Sequence, residues 1–142
     1  MISAVLDVNM LVAALLAPRG TTRQVLAAWE TNRFQSLTSD GIVAEVEEKL
    51  RSPRIGGRYG VTIRDIEWVR GLFLTQSKLI EITPQDIIAT TGDPEDDYVL
   101  ATARLGQTDY LVTGNRGLLG LHAHHSARIV TPREFLDILA AT

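Results

Sequence analysis

The chain contains no cysteine among its 142 residues, and this absence excludes a disulfide framework and a thiolate metal site. A chain without cysteine fits a reducing compartment, so we expect a cytoplasmic location. No apolar run reaches the roughly 18 residues of a membrane-spanning helix, and no membrane partner is expected. A basic region before the apolar N-terminal stretch is also missing, and Asp7 interrupts that stretch. A secretory signal peptide is therefore not expected.

Segments that would divide the chain are absent as well. There is no internal repeat, no low-complexity tract and no long linker rich in proline or glycine. Hydrophobic residues make up 45% of the sequence, enough for a substantial core. We therefore expect one α/β domain spanning residues 1–142. The formal net charge of −3 argues, though weakly, against a general nucleic-acid binder.

Short apolar runs alternate with segments of helical periodicity along the chain. This alternation predicts an α/β fold with a parallel sheet between two layers of helices. The predicted strands are residues 2–6, 34–38, 79–82, 109–113 and 128–130. The predicted helices are residues 10–16, 21–33, 40–50, 63–73, 94–105 and 132–139.

The helix predicted from Pro94 begins in an unusually acidic stretch, with four acids within residues 93–97. Asp93 is suited to be its N-cap, and Pro94 to be its first residue. Acids in a first turn complement the helix dipole by roughly 0.3–1 kcal/mol each, and this explains Asp93 and Glu95. It does not explain Asp96, whose helical spacing places it above an inward-facing stripe of Val99, Leu100 and Ala103. Asp97 is displaced from that stripe by roughly 100°.

Polar residues follow the predicted strands and form a second pattern. Asp7 ends the first strand, Glu45 lies on the helix after the second, Asp96 opens the helix after the third, and Thr113 and Asn115 close the fourth. In open α/β sheets such positions meet at the switch point of the strand order. Asp7 also suits a helix N-cap, and Glu45 a solvated helix surface, so local structural roles stay open for both.

If Asp7, Glu45 and Asp96 converge, their mutual repulsion has to be offset. Two carboxylates about 4 Å apart repel by roughly 4 kcal/mol at an effective dielectric constant near 20. Protons or a hard cation would relieve that repulsion, and an oxygen-only set of ligands selects Mg²⁺ or Mn²⁺. Such an ion binds a phosphodiester oxygen and activates a water for in-line attack on phosphorus.

Basic residues concentrate between residues 49 and 70, with Arg51, Arg54 and Arg58 at the centre. A basic stripe on an acidic protein is typical of a phosphate-bearing partner, but also of a solvated face or of a docking surface for an acidic protein segment. The loop containing His122, His124 and His125 lacks the defined helical or hairpin spacing of a zinc site.

Several motifs, taken in chain order, resemble the PIN-domain family, and in particular the toxin components of bacterial and archaeal toxin–antitoxin pairs. The resemblance extends over nearly the whole chain. It rests on Asp7-Val8-Asn9, on Ser39 followed by Glu45, on residues 93–97 with the Leu100-Ala101-Thr102-Ala103 run, on residues 108–115 and on residues 128–136.

This resemblance implies a five-stranded parallel sheet in the order 3-2-1-4-5 and Mg²⁺- or Mn²⁺-dependent ribonuclease activity. It implies metal ligands at Asp7, Glu45 and Asp96, with Asp97 as a substitute or helper. Asn9 and Thr113 match positions that orient these acids by hydrogen bonds.

One residue departs from the pattern, because the family usually has an acid where this chain has Asn115. An amide can ligate through its carbonyl oxygen or hold a metal-bound water, but it carries no charge. The number of metal ions is therefore open. Arg116, next to Asn115, is a candidate contact for the scissile phosphate.

The leading functional hypothesis is an endoribonuclease toxin that acts on RNA and is inhibited by a cognate antitoxin protein. The family often forms homodimers, for which the helix over residues 63–73 is a candidate interface. A phosphatase with an aspartate nucleophile fits less well, because Asn9 stands where that class has a second aspartate. A phospho-acceptor receiver would need a lysine after its late strand, and none follows Val130. A non-catalytic RNA- or protein-binding module is the alternative that Asn115 keeps open.

Overall fold

The computed structural model describes residues 1–142 and contains six strands and seven α-helices. The strands are β1 (Ser3–Leu6), β2 (Gln35–Thr38), β3 (Ser77–Leu79), β4 (Tyr110–Val112), β5 (Ala123–His124) and β6 (Ala127–Val130). The helices are α1 (Val8–Leu16), α2 (Thr21–Glu30), α3 (Asp40–Arg51), α4 (Ile63–Gln76), α5 (Pro94–Leu105), α6 (Arg116–Leu119) and α7 (Pro132–Ala140). No helix is both long and apolar enough to cross a membrane.

The strands form one sheet in the order β3-β2-β1-β4-β6-β5. All neighbouring strands are parallel except β5, which pairs antiparallel with β6. The predicted order 3-2-1-4-5 is confirmed for the five parallel strands, with β6 as the fifth. The sixth strand, β5, has two residues and lies in the histidine loop, where so short a pairing leaves no periodicity in the sequence.

Helices flank the sheet in a three-layer α/β/α arrangement. Helix α2 packs against α1, α4 and α7, whereas α5 packs against β1 and β2. A single cluster of 32 buried apolar residues runs from β1 to α7, so every layer shares one core. Trp29, Phe34 and Phe135 are its largest fully buried side chains.

Capping residues precede the first turns of α4, α5 and α7. Asp93 caps α5 by accepting hydrogen bonds from the backbone N–H groups of Glu95 and Asp96, at 2.9 and 3.4 Å. Capping boxes open α4 at Thr62 and α7 at Thr131. These caps fix where each helix begins, because they satisfy backbone donors that have no partner inside the helix.

Several predicted boundaries differ from the structure, among them those of β3 and α2. Strand β3 lies two residues earlier than predicted, because α4 runs directly into it and Ser77 pairs with Ser36. Helix α2 ends at Glu30, since Asn32 adopts a left-handed conformation with φ of 57°. Ile63, the first residue of α4, is 75% exposed, and the buried face of that helix begins at Ile66.

Candidate active site

The candidate site lies where the chain leaves β1 and β4 in opposite directions. These two strands are neighbours, and β2 and β6 lie outside them, so their carboxyl ends form the switch point of the sheet. Asp7 directly follows β1, and Thr113 directly follows β4. The backbone N–H of Asp7 donates to the carbonyl of Val112 at 3.0 Å, which fixes the two strand ends side by side.

Asp7 is a buried carboxylate that does not serve as a helix cap. It occupies the N-cap position of α1 without a side-chain capping bond, and only 3% of its surface is exposed. The hydroxyl of Thr113 donates to Asp7 Oδ2 at 2.8 Å. Burial raises the pKa of Asp7 despite that hydrogen bond. A buried acid that leaves the adjacent helix uncapped indicates a role other than local structure.

Asp96 approaches the same place from the first turn of α5. Its side chain is half-buried, and Asn115 Nδ2 donates to Asp96 Oδ2 at 3.1 Å. Burial raises the pKa of Asp96, and the negative charges of Asp93 and Asp7 raise it further. Thr113 binds Asp7 and also accepts a hydrogen bond from the backbone N–H of Asn115, so the two aspartates lie at the same end of the sheet; the space around them is called the crevice.

Asn115 uses both ends of its amide. While Nδ2 binds Asp96, Oδ1 accepts hydrogen bonds from the backbone N–H groups of Gly117 and Leu118 at 2.8 and 3.4 Å and so caps α6. The sequence left open that this carbonyl oxygen ligates a metal. In the structure the oxygen is committed to the helix cap, so Asn115 orients Asp96.

Glu45 lies next to Glu95 and lines the same groove as Val8, the residue that follows Asp7. Burial raises the pKa of Glu45 to about 7, and Glu95 adds to that rise as a hydrogen-bonding neighbour and by its charge. The charge of Glu95 also raises the pKa values of Asp7 and Asp96, so Glu95 is electrostatically coupled to all three predicted metal ligands.

Two residues of the crevice were not predicted from the sequence. Glu95 was explained by the helix dipole, and Lys49 was counted with the basic stripe. Lys49 Nζ instead contacts Asn9 Oδ1 at 2.9 Å and Glu95 Oε2 at 3.6 Å. A signal was present, since Lys49 follows Glu45 by four residues and lies on the same face of α3.

Asp97, predicted as a substitute or helper for the metal ligands, anchors the loop that precedes α5. Its Oδ1 accepts hydrogen bonds from Thr90 N, Thr91 N and Thr91 Oγ1 at 3.1, 2.8 and 2.9 Å. Burial acts to raise its pKa, but these hydrogen bonds outweigh burial and lower it. Asp97 is also more buried than Asp96, contrary to the helical spacing argument.

The remaining predicted residues are Asn9 and four exposed arginines. Asn9 binds Lys49 and no acid, so its predicted orienting role is not seen. Arg116 is exposed at the start of α6, beside Asn115. Arg51, Arg54 and Arg58 are exposed at the end of α3 and just beyond it. Among their neighbours in the basic stripe, Arg70 is bound by Glu47 through two hydrogen bonds of 2.7 Å.

The crevice fits a hard cation that takes only one or two ligands from the protein. No group of three or more His, Cys, Asp or Glu side chains has the geometry to hold a metal ion. Asp7 and Asp96, with their paired negative charge and oxygen-only chemistry, match an ion such as Mg²⁺, which takes one or two carboxylates and completes its shell with water. They do not match a site built from three or more direct protein ligands.

Two grooves adjoin the acids. One, of about 350 Å³, lies between α1, α2 and the β4–α6 turn and is lined by residues that include Asn9, Met10 and Asn115. The other, of about 300 Å³, lies between α3 and α5 and includes Glu45, Glu95 and Tyr98.

Comparison with known proteins identifies the family. The model of the PIN domain matches residues 3–117, and the chain belongs to this family. Proteins of the family are in general metal-dependent nucleases. The chain is also similar to the uncharacterized protein MJ1680 of Methanocaldococcus jannaschii, with 22% identity over 144 aligned positions that cover 96% of this chain and 90% of the relative.

Proposed function

We propose that this protein is a Mg²⁺- or Mn²⁺-dependent endoribonuclease that acts as the toxin of a toxin–antitoxin pair. One observation carries the proposal: in a chain of the PIN family, a buried aspartate held by Thr113 shares a crevice with a second aspartate held by Asn115. Both carboxylates have raised pKa values, which is typical of acids that await a cation or a proton.

Asp7 and Asp96 would hold the ion, and Glu45 with Glu95 would bind waters of its outer shell. When bound, the ion supplies Lewis-acid polarisation of a phosphodiester and lowers the pKa of a water molecule. Thr113 keeps Asp7 in a fixed orientation, and Asn115 does the same for Asp96. Arg116, exposed beside Asn115, is placed to contact a substrate phosphate, and Arg51, Arg54 and Arg58 to contact more distant ones.

Cleavage of a structured RNA in the presence of Mn²⁺ tests the enzymatic part of the proposal. We expect cleavage by the wild type, loss of cleavage with EDTA, and a decrease of at least about a hundredfold in Asp7→Asn and in Asp96→Asn, because each removes a charged ligand. Asp137→Asn, which makes the same change on the exposed surface of α7, is the matched control and should cleave normally. Wild-type rates in Asp96→Asn would contradict the proposal.

The toxin role needs a separate test, because a nuclease can serve many functions. Induced expression of the wild type should arrest growth of a bacterial host, and Asp7→Asn should not. We propose that the cognate antitoxin inhibits by covering or entering the acidic crevice. A homodimer through α4 is part of the same proposal, and the exposed side chains of Ile63 and Leu74 on that helix are consistent with it.

A non-catalytic binding module is the second candidate. It is favoured by the neutral Asn115 and by the absence of a group of three or more acids with the geometry to hold a metal ion. Such a module would bind RNA or a protein without cleaving RNA, and its binding would be insensitive to Asp96→Asn. The cleavage assay with matched binding measurements separates the two candidates.

A further inference from the structure

Lys49 places a positive charge inside the acidic crevice. It lies on α3 but contacts side chains of two other helices, Asn9 on α1 and Glu95 on α5. Only 26% of its side-chain surface is exposed, against 54% for Glu95. An ordinary surface lysine at this position would be expected to pair with Glu45, one turn earlier on its own helix.

The surroundings of the ammonium group are negative on several sides. Besides its contact with Glu95, its charge lowers the pKa values of Asp7 and Glu45 against the rise that burial causes. Asn9, whose position in the family pattern suggested a partner for an acid, orients the ammonium group instead. The protein thus has a built-in cation where acids from three elements would otherwise repel one another.

We propose that Lys49 is an intramolecular counter-ion of the crevice, which offsets the charge of the acids in the metal-free protein and opposes the entry of a divalent cation. The inference rests on the proposed function, since it concerns the same crevice. Its physical basis is the sign of the charges: a fixed positive charge close to a cation site weakens the binding of any cation there.

The test is the affinity for Mn²⁺ alone, measured by isothermal titration calorimetry without RNA. We expect Lys49→Met to bind Mn²⁺ about tenfold more tightly than the wild type, the change that corresponds to about 1.4 kcal/mol of relieved repulsion. Lys49→Arg keeps the charge and should retain the wild-type affinity. Lys78→Met is the matched control, because Lys78 is the only other lysine of the chain and lies exposed on β3.

A second measurement uses the presence of only two lysines. Protein labelled with ¹³C-lysine gives two sets of side-chain signals, and Lys78→Met assigns them. Titration with Mg²⁺, which is diamagnetic, should shift the Lys49 signals and leave those of Lys78 in place. Equal or absent shifts would contradict the inference.

The outcomes separate this inference from the proposed function. If the wild type binds Mn²⁺ and Lys49→Met binds no more tightly, the counter-ion role is overturned and the nuclease proposal stands. If Lys49→Met binds Mn²⁺ with the wild-type affinity but has a raised KM for RNA, Lys49 is a phosphate contact. This result would overturn the counter-ion role as well. If neither protein binds Mn²⁺, both proposals fail.

Discussion

Thr113 and Asn115 link the two candidate aspartates through one chain of hydrogen bonds. The Thr113 hydroxyl donates to Asp7 and accepts from the backbone N–H of Asn115 at 3.0 Å, while the amide of Asn115 donates to Asp96. Each aspartate is therefore held by a neutral donor. This arrangement orients both carboxylates without neutralising them, which leaves their charge available to a cation.

The variant Asn115→Asp introduces the acid that the family usually has at this position and so tests the effect of the neutral amide. The new carboxylate can still cap α6, but it cannot donate to Asp96 and adds a repelling charge. Without metal we expect a loss of about 2 kcal/mol in the free energy of unfolding, measured by urea denaturation in EDTA. With Mn²⁺ the melting temperature should rise further than in the wild type, because ligand binding stabilises the folded state in proportion to affinity.

Asn115→Ser is the control for this variant, since serine is also a good N-cap and introduces no charge. It should show neither the additional repulsion nor the larger response to Mn²⁺. If Asn115→Asp behaves as the wild type under both conditions, Asp96 and residue 115 do not interact in the way that the structure indicates.

At the scale of elements, the start of α5 assigns different roles to adjacent acids. Asp93 caps the helix, Asp96 faces the crevice, and Asp97 anchors the preceding loop at Thr90 and Thr91. The packing of α5 against α3 completes the arrangement. The backbone N–H of Gly41 donates to the hydroxyl of Tyr98 at 3.1 Å, and a Cβ on Gly41 would lie 2.4 Å from the Tyr98 ring. Glycine at this position lets the two helices approach.

Substitution of Asp97 should therefore lower the free energy of unfolding, and substitution of Asp96 should not. We expect Asp97→Ala to lower the free energy of unfolding by about 2 kcal/mol, because three hydrogen bonds to a buried charge are lost. Asp96→Asn should leave stability unchanged or raise it in the metal-free protein, because it removes like-charge repulsion. Urea denaturation of both variants in EDTA makes the comparison.

The pH dependence of stability gives this prediction a further check. The pKa of Asp97 is lower in the folded protein than its ordinary value. Its contribution is therefore present above the unfolded-state pKa, about 3.9, and is lost as the pH falls through the folded-state pKa. The difference in stability between the wild type and Asp97→Ala should shrink over that acidic range. A difference that is constant with pH would show that Asp97 does not act through its charge.

At the scale of the whole molecule, the alternation of strands and helices predicted the fold class, and the resemblance to the family supplied the strand order. Asp7 and Thr113 met as expected, since both directly follow neighbouring strands. The relative burial of Asp96 and Asp97 could not be predicted, because it depends on how residues 90–91 fold over the helix start. Helical spacing contains no information about that loop.

Glu95 and Lys49 show a second limit of sequence reasoning. Each had a sufficient local explanation, the helix dipole for Glu95 and a basic surface for Lys49. Their actual surroundings depend on the approach of α1, α3 and α5, which no short-range pattern encodes.

The account depends most on a divalent cation bound between Asp7 and Asp96. The most direct measurement is the anomalous difference map of a crystal soaked with Mn²⁺. We predict one strong peak about 2.0–2.2 Å from a carboxylate oxygen of each aspartate, with the remaining positions filled by water. A map with no peak in the crevice, or with a peak bound by other residues while Asp7 and Asp96 keep their present partners, would contradict it.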